Sequence, residues 1–196
     1  MKDFYNIKNS ILKRLYATQK ICFKKLGRRS VFIKPIRIYG KHNISLGDNV
    51  KFGEFSRVEA LDEWRGTKYY PNLVIGNNTS FEQSAHITCA SNLIIGENCT
   101  FSSRVMITTI SHDYSQINKS VLDNEIHTSD VKIGNNCFIG MDVKIFPGVQ
   151  IGDNVIIGAN SIVMHDLPSY TVCVGVPAKP IKKFNFELGV WEKYAS

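Results

Sequence analysis

Two of the chain's five histidines, His112 and His127, lie in one long polar stretch, ITTISHDYSQINKSVLDNEIHTSDVK, that begins at Ile107. An imidazole titrates near neutrality and can take up or release a proton where transfer chemistry runs. A polar loop thrown out of a regular scaffold is a usual place to display such a group, and a solvated surface histidine is the plainer reading. A second stretch, LDEWRGTKYYPN, carries Trp64, Tyr69 and Tyr70. Their rings could stack on a sugar or simply cover the scaffold. The cysteines at 22, 89, 99, 137 and 173 show no paired metal-ligand spacing. Their odd number, with no apparent leader peptide, leads us to expect a reducing, cytoplasmic setting.

The elements that must position these groups are announced by residues 133–163, which run IGNNCF, IGMDVK, IFPGVQ, IGDNVI, IGANSI and then Val163. An aliphatic residue falls at Ile133, Ile139, Ile145, Ile151, Ile157 and Val163, and a small or β-branched one four places after each start, at Cys137, Val143, Val149, Val155 and Ser161. A period of six is neither the 3.6 of a helix nor the 2 of an isolated strand. It fits short strands joined by tight turns around a triangular coil, a parallel β-helix whose stacked coils bury what one coil cannot. Asn and Gly in the turns tolerate left-handed backbone angles, Asn135, Asn136, Asn154 and Asn160 among them. Cys99 and Cys137 occupy the small-residue corner, so packing accounts for them. The step of six also holds at Leu46, Phe52 and Val58, at Ile75, Phe81 and Ile87, and, after two skipped residues near Ser91 and Asn92, at Ile95, Phe101 and Ile107.

Charge divides the chain. Residues 1–41 hold 12 of the 24 Lys and Arg and a single acid, Asp3, for +11, whereas the remainder carries −4. Phe4, Ile7, Ile11, Leu12, Leu15, Ile21 and Cys22 recur at helical spacing between these cations, and Gly27 is a plausible stop. A basic amphipathic helix over 3–26 could cap the coil or rest on an anionic membrane surface. Nucleic acid is not expected, because no recognised binding module is present. No apolar run is long enough to span a bilayer. We therefore expect a basic helical arm at 1–30, a β-helix at 31–166 with a loop extruded at 108–131, and a tail at 167–196 ending in a short helix over its apolar, aromatic residues.

The hexads, the Ser111-His112-Asp113-Tyr114 loop, the run PGVQIGDNVIIGANSIV and the closing VGVPAKPIKK resemble the hexapeptide-repeat acetyltransferases. The branch is that of the galactoside and maltose O-acetyltransferases, and within it the enzymes acting on O-antigen and capsular polysaccharide. The resemblance is strong over residues 44–184. It implies an all-β, left-handed parallel β-helix, a homotrimer with active sites shared between subunits, acetyl-CoA as co-substrate and no metal.

The resemblance also implies residue roles. His112 would be the general base; His127 has no family role and is read as structural, and His86, between hexad positions, as a hydrogen-bonded surface or core residue. The backbone N–H of Met141 would face the oxyanion, and Phe138 would stand where relatives usually carry Trp. Ala159 and Met164 would line the path of the pantetheine arm, and Lys179 and Lys182 would meet the CoA phosphates. Glu82 falls near the position of an Asn that holds the sugar hydroxyl in relatives, and could do so or be an ordinary exposed carboxylate. Asp113 could orient the loop or His112, or contact the acceptor. The expected reaction is O-acetylation of a sugar hydroxyl of a surface polysaccharide or its precursor. The alternatives are a small acceptor (a free sugar, a nucleotide-sugar amine or an antibiotic), a non-catalytic trimeric scaffold, and a zinc carbonic anhydrase, for which no three-His set is evident.

Overall fold

The computed structural model describes residues 22–194. Three parallel faces form a triangular prism. The first stacks Lys25–Leu26, Ile44–Leu46, Asn72–Ile75, Asn92–Ile95, Val131–Ile133 and Gln150–Ile151. The second stacks Val31–Phe32, Lys51–Phe52, Ser80–Phe81, Thr100–Phe101, Phe138–Ile139, Ile156–Ile157 and Thr171–Gly175. The third stacks Arg37–Tyr39, Arg57–Ala60, His86–Cys89, Met106–Thr108, Lys144–Ile145 and Ile162–Val163. This is a left-handed parallel β-helix. Ile133 pairs with Ile151, so an uninterrupted coil takes three hexads. The coil from Leu46 to Ile75 and the coil from Ile95 to Ile133 are longer because each carries an insertion.

Each hexad points its aliphatic residue inward, and stacking aligns like with like. Phe32, Phe52, Phe81 and Phe101 form one column of parallel rings with centroids 4.3–4.4 Å apart. That is slightly under the ordinary strand spacing, so the rings meet face to face through the centre of the prism. Small residues fill the corner between the first two faces, where Val50, Thr79, Cys99, Cys137, Val155 and Thr171 are all buried.

Asparagine and glycine divide the work of the turns. Asn49, Asn78, Asn98, Asn136 and Asn154 adopt φ of 55–57°, and Asn160 does so at the next corner, with φ 59°. Asn135 does not. The side chains of the first three hydrogen-bond along the stack, Asn49 Nδ2 to Asn78 Oδ1 at 2.9 Å and Asn78 Nδ2 to Asn98 Oδ1 at 3.2 Å. The hexad glycines serve closeness instead. A Cβ at Gly140 would lie 2.6 Å from the Ala159 nitrogen and 2.8 Å from the Ile157 oxygen, so only hydrogen lets the two coils approach there.

Two expectations are corrected. The tail does not end in a helix: Ala178–Asn185 and Val190–Lys193 add antiparallel strands to the second face. Thr171–Gly175 leaves an unpaired backbone edge, and a chain that reverses through Gly175 satisfies it with two further strands, Phe184 lying opposite Trp191 between them. Nor does a basic helix reach Leu26, because Lys25–Leu26 already pairs with Ser45 and Leu46 as the first strand. The rest of the expected helix, residues 3–21, lies outside the described residues. Residues 61–72, where the step of six is interrupted, contain the hairpin Glu63–Trp64 with Thr67–Lys68.

Candidate active site

Both insertions leave the same corner, where the third face turns back to the first. The hairpin follows Arg57–Ala60, and the longer insertion follows Met106–Thr108. The longer one opens as an antiparallel pair, Ile110–His112 with Ile126–Thr128. Thr108 Oγ1 accepts the Ile110 N–H at 3.0 Å, which fixes the point of departure.

The two insertions grip each other. The Trp64 indole N–H donates to the Asn124 carbonyl at 3.2 Å, the Tyr69 hydroxyl to the Ile126 carbonyl at 3.1 Å and the Thr67 hydroxyl to Glu125 Oε1 at 3.2 Å. Arg65 pairs with Asp123 at 2.6 Å and also donates to the Leu122 carbonyl. Trp64 then presents its ring edge to the imidazole of His112, with centroids 5.8 Å apart at 65°. The exposed His112 ring is thus backed by an aromatic wall.

A cleft of about 320 Å³ lies under these insertions on the third face. Its floor holds Arg57, Glu59, His86, Thr88, Met106 and Thr108. Its wall holds Leu61, Trp64, Ile110, His112, Leu122 and Ile126. Burial and the neighbouring Arg57 push the His86 imidazole below its usual range, opposed by Glu59. His127 stands outside this cleft. Its Nε2 lies 3.9 Å from Asp113 Oδ1, on the far side of the loop hairpin. The Asp113 carboxylate is occupied by the loop itself: it accepts the Ser115 N–H at 2.9 Å and the Ser115 hydroxyl at 3.0 Å. Those bonds, with a lesser contribution from His127, hold its pKa below the usual carboxylate value. Asp113 therefore orders the loop rather than reaching His112.

The other expected residues gather elsewhere. Met141 and Ala159 are exposed on successive turns between the second and third faces, and the Asn160 N–H donates to the Met141 carbonyl at 2.8 Å. Glu82 is exposed at the same corner, immediately after Phe81. Phe138 projects outward from the second face in register with Ile156, which pairs with Val172, which pairs with Lys182. Lys179 lies opposite Val174. Met164 stands apart at the opposite edge of the third face, after Val163 and two coils along from Thr108. Within one chain, His112 and Met164 therefore occupy one edge of the third face, and Met141, Ala159 and Glu82 the other. Among the described residues, no group of three His, Cys, Asp or Glu is placed to hold a metal ion.

Sequence reasoning missed Arg57 and Glu59 on the cleft floor. The available signal was Arg-Val-Glu-Ala, an alternating strand that puts two opposite charges on one outer face.

Residues 130–165 match the family model described as bacterial transferase hexapeptide (six repeats). A protein of Escherichia coli K12 assigned as a lipopolysaccharide biosynthesis O-acetyl transferase, WbbJ, is 32% identical over 166 residues, covering 81% of each chain. A dTDP-4-amino-4,6-dideoxy-D-glucose acyltransferase of Escherichia coli is 30% identical over 166 residues, covering 82% of each. Among solved structures, a point mutant of AntD, an N-acyltransferase from Bacillus cereus, in complex with dTDP and coenzyme A, superimposes with a TM-score of 0.72 at 23% identity. That match covers 88% of this chain and 90% of the other. With its hexad coils, its histidine-bearing insertion and these relatives, the chain belongs to the hexapeptide-repeat acyltransferases.

Proposed function

We propose that the protein is an acetyl-CoA-dependent O-acetyltransferase acting on a sugar hydroxyl of a surface polysaccharide or its precursor, with His112 as general base. The observation that carries this reading is the exposed His112 ring, held against Trp64 in the wall of a cleft the size of a small ligand site. The neutral imidazole takes the hydroxyl proton as the sugar oxygen attacks the thioester carbonyl. The tetrahedral oxyanion needs a fixed donor. The Met141 N–H has no acceptor among the described residues and suits that role. Collapse breaks the C–S bond, and the imidazolium returns its proton to the departing thiolate, giving an acetyl ester and free CoA. AntD, which shares the fold, holds coenzyme A in its structure. Here Ala159 and Met164 would flank the pantetheine, Phe138 would supply an aromatic wall, and Lys179 and Lys182 would meet the phosphates.

Because His112 and Met141 lie at opposite edges of the third face, the reading assigns them to one site across two chains. A cyclic trimer of parallel prisms brings the corner of one protomer against the face of the next. Glu82 would then hold the acceptor hydroxyl. The basic stretch within residues 1–41 suits an anionic membrane surface and a lipid-linked acceptor, which supports a peripheral position at the cytoplasmic face. Among the described residues, no helix is long and apolar enough to cross a membrane. The relative named for a dTDP-amino sugar favours a second reading, in which the acceptor is a small nucleotide-sugar amine.

Replacing His112 by Ala should lower acetyl transfer by about 2 to 4 decades. Thiol release would measure the rate, and mass spectrometry of the surface glycan with and without the protein would show an acetyl group missing. Undiminished turnover in His112→Ala refutes the mechanism; an unchanged glycan refutes the acceptor. Vesicles of anionic lipid should pellet the full chain and not one lacking residues 1–30; equal pelleting removes the membrane role.

A further inference from the structure

We infer that the cleft beside His112 is built for an acceptor sugar bearing an anionic group, a carboxylate or a phosphate, gripped by Arg57 on its floor, with Arg37 helping to hold Glu59 from just outside the lining. This rests on the reading of that cleft as the acceptor site. The observation behind it is Glu59, whose side chain is only 4% exposed although it projects from the outer surface of the prism. Both its oxygens are taken. Arg37 Nε lies 2.8 Å from Oε1, and Arg57 Nε lies 2.7 Å from Oε2. A desolvated carboxylate is tolerable only when paired in this way.

The arrangement leaves an excess. One carboxylate is matched by two guanidiniums, so the group carries a net positive charge. Each arginine spends its Nε on Glu59 and keeps its terminal nitrogens, and the two side chains remain 55% and 46% exposed. Arg37 and Arg57 are direct register partners on adjacent strands; the Arg37 guanidinium packs over the Tyr39 ring, 5.4 Å from its centroid, and Arg57 faces the cleft. A guanidinium presents a rigid fork that suits carboxylate and phosphate oxygens, and here the buried glutamate has already restricted its motion. Glu59 is also the only carboxylate lining the cleft among the described residues, and with both oxygens engaged it offers an incoming anion little repulsion. The apolar wall of Leu61, Trp64, Leu122 and Ile126 reduces screening over the same floor. Ligand sites commonly occupy about 300 to 1,000 Å³, which places this cleft at the small end, suited to one charged sugar residue.

The test pairs neutral and charged sugars of the same stereochemistry: glucose, galactose and mannose against their uronic acids and their 1-phosphates. Binding to the full chain is measured by saturation-transfer NMR, which requires no chemistry, and turnover by thiol release with acetyl-CoA. In at least one stereochemical series the charged member should bind about tenfold tighter than the neutral one, and the preference should shrink as salt is raised. Whether the uronic acid or the phosphate shows the preference decides which anion the cleft takes. Arg57→Gln should narrow the charged-to-neutral ratio about tenfold, while Arg57→Lys, which keeps a cation beside Glu59, should retain part of it. Arg37→Gln serves as a second variant should Arg57→Gln fail to fold. Equal binding of charged and neutral sugars in all three series overturns the inference, as does a preference that survives both glutamine substitutions. A preference for the charged member without acetyl transfer to it would leave the anion site standing and remove the acetyltransferase reading of the cleft.

Discussion

Replacing Trp64 by Ala isolates what the hairpin does for the histidine. The substitution removes the indole bond to the Asn124 carbonyl, worth about 1 kcal/mol, and the edge contact with the imidazole, worth about another 1 kcal/mol. The Tyr69, Thr67 and Arg65 contacts remain, so the long insertion stays docked while His112 loses its backing. If about 2 kcal/mol of positioning is lost in the transition state, turnover falls roughly thirtyfold. Steady-state thiol release should show this in kcat, with KM for acetyl-CoA unchanged, because the corner bearing Met141 and Ala159 is untouched. Trp64→Phe keeps a ring edge and loses only the N–H, so its deficit should be about fivefold. The melting temperature should fall by no more than about 8 °C, the most that about 2 kcal/mol shifts a chain of this size, and the variant should remain folded at the assay temperature. Wild-type kcat in Trp64→Ala would refute the reasoning, as would a loss explained entirely by a lowered melting temperature.

Phe81→Ala breaks two ring stacks at the centre of the prism and should cost about 3 to 5 kcal/mol, read as a lowered urea midpoint. His86 has its pKa lowered below 6.5 in the folded chain, so the unfolded chain binds the proton more readily and stability should decline as pH falls below about 6.5. Thermal melts of His86→Asn should show a flatter decline over that window. Burial pushes the Cys89 thiol up to about 12, that of Cys137 is raised by the Cys99 side chain hydrogen-bonded to it and then by burial, and Cys99 and Cys173 are also buried. Iodoacetamide on the folded protein should therefore modify Cys22 first among the five cysteines, as mass spectrometry would show. Mixed assemblies of a His112→Ala chain with a Gly140→Trp chain should regain activity that neither has alone if the site is shared between protomers.

The coil was legible because its cause is strictly local. A step of six from Ile133 to Val163 records which residue points inward at every turn, and Cys99 and Cys137 could be assigned to corners from spacing alone. The site was legible only at His112. Its support is not periodic: Trp64 meets Asn124 across 60 residues of chain, and nothing in either insertion states that the two will dock. Glu59 was hidden for a related reason, since one of the two arginines that hold its buried carboxylate, Arg37, comes from the neighbouring coil and is brought to it only by the stacking of the strands. The tail misled because Phe186, Leu188, Trp191 and Tyr194 mimic helical spacing. An open strand edge beside them decided the matter, and a neighbouring edge does not appear in the spacing of a segment.

The reversal after Gly175 has a consequence for how the molecule behaves at high concentration. A stack of coils has no intrinsic last member, and the exposed rim of one prism is a template on which another could continue growing into a fibre. The chain closes the second face with a hairpin instead: Ala178–Asn185 runs against the coils, and Val190–Lys193 turns back outside it with an exposed surface that carries no inward hexad residue for a further coil to stack on. Shortening the protein before Ala178 should therefore change its colloidal behaviour more than its fold, turning a closed particle into one that polymerises end to end.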